Sequence, residues 1–105
     1  MKKVILFFLT TISIISFSDT YLEDHLEDIL EDKYEKISDG KTRLELDIEV
    51  HERKDKVIII VEIDDDDEYK WERFNKAKYN QVLKEIEREA KKVAKGKKII
   101  VETDI

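Results

Sequence analysis

The chain contains no cysteine and no proline, and glycine occurs only at Gly40 and Gly96. Without cysteine there is no disulfide staple and no thiol for a lipid anchor, so the fold rests on its core alone. With 105 residues it forms one modest domain; a chain of this size buries about 60–65% of its unfolded surface. Beyond residue 18 serine is confined to Ser38, and the two histidines, His25 and His51, have no H-x-x-x-H or C-x-x-C spacing around them. A zinc centre needs three or four ligands. A nucleophile needs a base in register, and Thr20, Thr42 and Thr103 have none visible in the sequence. These absences point away from an enzyme.

The opening stretch MKKVILFFLTTISIISFS contains no acidic residue, and its only charged side chains are Lys2 and Lys3. They precede the uncharged run Val4 to Phe17, and Ser16 and Ser18 stand at the −3 and −1 positions before Asp19. This layout predicts a secretory signal peptide over residues 1–18, removed from a mature domain of residues 19–105. At 14 residues the apolar run is short of the roughly 20 that a spanning helix needs. An uncleaved N-terminal anchor and a buried core helix are the competing readings.

The segment 1–18 holds two of the 20 basic residues and none of the 26 acidic ones, which leaves 18 against 26 and a net charge of −8 for the remainder. Such a surface repels nucleic acid and anionic lipid alike. It suits a cationic partner or divalent cations, and the expectation after leader removal is no stable membrane association.

What is present is strongly patterned. In TYLEDHLEDILEDKYEKISDG the residues Leu22, Leu26, Ile29, Leu30, Lys33 and Ile37 fall at helical spacing, which predicts a helix from Tyr21 to Ser38. Leu-Glu-Asp recurs there three times at a period of four. Leu44, Leu46, Ile48 and Val50 alternate with charged residues, as in a half-buried strand. Val57 to Ile63 is apolar on both faces, which suits a central strand. A long helix is expected from Glu68 to Lys95, with Trp71, Phe74, Tyr79, Val82, Ile86, Ala90 and Val93 on its inner stripe. KKIIVETDI then returns to strand. Gly40 and Gly96 each follow a helix-like segment, as left-handed terminators do. The expected fold is α+β, order α-β-β-α-β, with a three-stranded mixed sheet and both helices on one face.

That element order is similar to the order of small exported BON-type modules. Gly96 stands before the last strand as a glycine does in theirs. The hairpin turn Glu52-Arg53-Lys54-Asp55 lacks the glycine they carry, so the likeness covers element order and not a motif.

Two features invite a functional reading. Asp64, Asp65, Asp66 and Asp67 end the second strand, and a hard cation such as Ca2+ is the ligand four carboxylates suggest. A calcium loop, however, spaces its carboxylates at alternate positions and carries a glycine, whereas these are contiguous. Asp67, or Asp66, as the cap of the long helix accounts for the run better than a cation site does. The second feature is apolar: Ile58, Ile60 and Ile100 fall on the sheet face opposite the core, beside Arg43, Glu45, Asp47 and Glu49. Exposed aliphatic patches mark partner surfaces; the competing reading has the first helix cross over and cover these residues, sandwiching the sheet. The expected function is a secreted or periplasmic non-catalytic interaction domain binding a protein or a second copy of itself. The alternatives are an acidic domain that binds divalent cations weakly, or an uncleaved envelope anchor.

Overall fold

The computed structural model describes residues 15–104. Residues 1–14 of the expected leader lie outside them, and α1 (Ile15–Tyr34) runs without interruption across the Ser18–Asp19 junction. The elements that follow are β1 (Lys36–Ser38), β2 (Arg43–Glu52), β3 (Lys56–Ile63), a 3-10 helix (Asp65–Arg73), α2 (Lys76–Val93) and β4 (Lys98–Asp104). The result is a small α+β domain with a four-stranded mixed sheet in the order β1-β2-β3-β4. Neighbours β1/β2 and β2/β3 are antiparallel. β3 and β4 are parallel, as the crossover through α2 requires.

One apolar layer holds these elements together. Leu44, Leu46, Ile48 and Val50 of β2, Val57, Ile59, Val61 and Ile63 of β3, and Ile99 of β4 face the same way and are buried. Leu26 and Leu30 of α1 and Tyr79, Val82, Ile86 and Ala90 of α2 close over them in a single core. The two helices touch each other as well as the sheet, α1 lying against β2 and α2 against β4.

The sequence reading needs correction in two places. The first helix runs from Ile15 to Tyr34 rather than from Tyr21 to Ser38, and Lys36–Ser38 becomes a short fourth strand, with Ile37 opposite Leu44. Ile37 fits either period, since it lies four residues past Lys33 and would also be the middle of an alternating triplet. The turn decides between them. Asp39 Oδ1 accepts hydrogen bonds from the N–H groups of Lys41 (2.8 Å) and Thr42 (2.7 Å), while Ser38 Oγ accepts from Gly40 N–H at 3.0 Å. Side chains that bond nearby backbone in this way compete with helix. Gly40 does take a positive φ of 98°, but in this hairpin turn rather than behind a helix. Gly96, at φ 85°, lies just after α2.

The second correction splits the long helix. Asp65–Arg73 is 3-10, Phe74 and Asn75 are extended, and α2 begins afresh at Lys76. Asn75 caps α2 by accepting from Lys78 N–H at 3.1 Å, and its own N–H donates to Asp39 Oδ2 at 2.9 Å. The break turns Phe74 into the core, where it is 2% exposed. Trp71, half-buried, meets Tyr79 edge-on at 4.9 Å, with the Lys76 ammonium 4.3 Å above the indole.

Candidate functional site

Because both helices cover one face of the sheet, the other face carries no helix among the described residues. Its central positions are Ile58, Ile60 and Ile100. Pairing sets Ile58 between His51 of β2 and Ile100 of β4, and Ile60 between Glu49 and Glu102. The three isoleucines therefore adjoin, in a frame of charged and titratable side chains. They are half-buried rather than bare.

The two edges of this sheet are unequal. On the β1 side, most of the outward N–H groups of β2 are met. β1 covers its first residues, and Leu46 N–H donates to the Glu35 carbonyl at 2.7 Å. Further on, Val50 N–H donates to Glu27 Oε2 at 3.2 Å and Glu52 N–H to Glu23 Oε2 at 2.7 Å. Four residues of helix advance ~6 Å and two residues of strand ~6.6 Å, so α1 running antiparallel to β2 keeps this match. The Leu-Glu-Asp repeat thereby acquires a meaning. Leu26 and Leu30 enter the core, Glu23, Glu27 and Glu31 lie half-buried along the strand edge, and Asp24, Asp28 and Asp32 are exposed. Glu31 ends this row, where burial, followed by the charges of Glu27 and Glu35, pushes its carboxyl above the ordinary range. On the far side, β4 pairs with β3 alone, and its outer edge meets no other strand among the described residues.

The aspartate run completes the other end of the sheet. Where β3 stops, Asp64 N–H donates to the Glu45 carbonyl at 2.9 Å, and Asp67 Oδ2 accepts from Glu45 N–H at 2.8 Å. Asp67 Oδ1 also pairs with Lys70 at 3.1 Å. The Glu45 N–H, with Lys70 behind it, holds the Asp67 carboxyl below its usual value. Asp64 caps the 3-10 helix by accepting from Asp66 N–H at 2.9 Å, so the cap is neither Asp66 nor Asp67. Asp65 and Asp66 are exposed. Among the described residues no group of three or more carboxylate or histidine side chains is arranged to hold a metal ion.

The remaining candidates are similarly engaged. His25 stacks on Tyr21 at 5.3 Å, and His51 lies 3.3 Å from Glu49. Ser38 and Asp39 line a surface depression of about 390 Å³ with Asn75, Ala77, Lys78 and Gln81. Three backbone N–H groups, that of Thr42 foremost, hold the Asp39 carboxyl below its usual value, which makes it a poor base for the Ser38 hydroxyl. One buried charge went unnoticed in the sequence. The Glu52 side chain is 3% exposed and pairs with Lys97, which also donates to the Arg53 carbonyl at 2.9 Å. Glu52 Oε1 has no partner. The only sequence signal was an acidic residue just beyond the last inward-facing valine of β2.

Comparison with known proteins finds no match: no family model fits the chain, and no curated protein or solved structure is detectably similar to it. Among the described residues no helix is long and apolar enough to cross a membrane. The open isoleucine face and the β4 edge are thus the features on which a functional reading rests.

Proposed function

We propose that the chain is a non-catalytic interaction domain, exported by its first eighteen residues, that binds a protein partner through the open face of its sheet. One observation carries this reading: the described helices pack on one side, leaving Ile58, Ile60 and Ile100 adjoining on the other, next to the outer edge of β4. An aliphatic surface of this kind gains by removal from water, at ~25 cal/mol for each Å² covered. Its charged frame would orient the partner more than strengthen it. The net charge of −8 after leader removal favours a basic rim in a partner other than a second copy.

A photoreactive residue at position 58 or 100 tests the face directly in the chain's own cells. Discrete protein adducts are expected from these positions and none from position 84, on the exposed side of α2. Equal labelling from both sides, or none from either, overturns the reading. Mass measurement of the accumulated chain tests export separately, with Asp19 expected as its first residue.

A further inference from the structure

We propose that the partner of the β4 edge is a second copy of this chain, joined by antiparallel pairing of β4 with β4 about a two-fold axis through Ile100. The inference rests on the interaction reading above and gives it an occupant.

The first argument is the inequality of the edges. Unpaired strand edges invite other strands, and folded proteins blunt them. Here β2 is blunted by a short strand, a main-chain carbonyl and two glutamates of α1, whereas the seven residues of β4 have one neighbouring strand among the described residues. A sheet so carefully finished on one side and open on the other has a direction in which it can be extended.

The second argument is the sequence of that strand, Lys98-Ile99-Ile100-Val101-Glu102, which is charge-complementary to itself when reversed. A two-fold axis perpendicular to the sheet keeps both helical layers on one side and the open faces on the other. It must pass through a residue, since opposed side chains share a face in an antiparallel pair. With the axis at Ile100, Lys98 of each copy opposes Glu102 of the other, Ile99 opposes Val101, and Ile100 opposes Ile100. An axis at Ile99 sets Lys98 against Ile100 and matches no charges; one at Val101 sets Lys98 opposite Asp104 but places Glu102 against Ile100, a charge against an aliphatic side chain, in both copies. Opposite charges directly across strands favour pairing and like charges oppose it. The same charges that would repel an unrelated strand thus favour this one, and the match of Ile100 with Ile100 favours the register centred there.

The third argument is continuity. Ile100 lies beside Ile58 in the sheet, so joining the two edges merges both isoleucine patches into one band of six across eight strands. On the inner face Val101, half-buried beside the core, gains the second copy's Ile99 as a neighbour. The assembly is isologous, with each copy giving and receiving the same contacts.

Sedimentation and thiol cross-linking of the full chain as it accumulates in its own cells test this. A dimer is expected. Lys98→Glu and Glu102→Lys should each weaken it by about tenfold, because two opposed pairs become like-charged. The combined exchange should restore it. In this cysteine-free chain Ile100→Cys should give a disulfide-linked dimer under mild oxidation, and Lys84→Cys should not. A monomer at every accessible concentration, or a dimer indifferent to the charge reversals, overturns the proposal. A monomer that still forms adducts with another protein from position 58 sinks self-pairing while sparing the interaction face. A dimer without foreign adducts upholds the pairing of the edges and overturns the face as a docking site for another protein.

Discussion

At the scale of single residues, two buried or shielded charges organise the loops. Asp39 joins the β1–β2 turn to the start of α2 through three N–H groups. Its carboxyl titrates below the ordinary value, so the stability it contributes is present above the unfolded pKa of about 3.9 and is lost as pH falls through the lower folded value. Asp39→Asn should therefore lower the thermal midpoint near neutrality, and the difference from wild type should shrink in strong acid. Melting curves collected across pH check both parts. Glu52 presents the second case. Its carboxylate is nearly enclosed and Lys97 is its cation, tying the β2–β3 turn to the segment before β4. Lys97→Met leaves that charge uncompensated and should cost on the order of 2–3 kcal/mol, toward the low side for a buried pair because Lys97 retains some exposure. Adding Glu52→Gln should recover most of the loss in denaturant titrations, since the charge that needed a partner is then gone.

At the scale of elements, α1 is both core and edge cover. Replacing Glu23 and Glu27 together by alanine removes the acceptors for two β2 N–H groups, a loss of about 2 kcal/mol. The Val50 and Glu52 amides should then exchange hydrogen faster, while those of β3 at the middle of the sheet keep their protection. Uniform loss across all strands would mean that the glutamates act through the core instead. The period-four repeat was plain in the sequence; its use was not, because a helix face reveals amphipathicity but not the strand it will lie beside. β2, β3, β4 and the inner stripe of α2 were legible from alternation and 3.6-residue spacing alone. β1 was not, since three residues carry no period and Ile37 satisfied the helical one. The break at Phe74–Asn75 was hidden for a related reason: Trp71, Phe74 and Tyr79 read as one stripe, and only the Asp39 contact, 36 residues away in sequence, makes Asn75 a cap. Of the candidate site, the isoleucine face was legible because two-sided greasiness on one strand implies two-sided demand. The edge inequality was not, because it arises from long-range bonds.

At the scale of the whole molecule, the acidic surface governs the response to ions. The clustered aspartates spend their oxygens on backbone N–H groups and Lys70 or point singly into solvent. Calcium should consequently raise the melting temperature no more than sodium at equal ionic strength, both acting through screening of the net charge. A gain of several degrees at sub-millimolar calcium would contradict this and revive a specific cation site. The asymmetry of the sheet has a last consequence. A building block that can grow into a filament needs two sticky ends, and the α1 glutamates leave this one with a valence of one. The proposed self-association through β4 would therefore terminate itself at the first step, and loss of Glu23 and Glu27 would supply the missing second end.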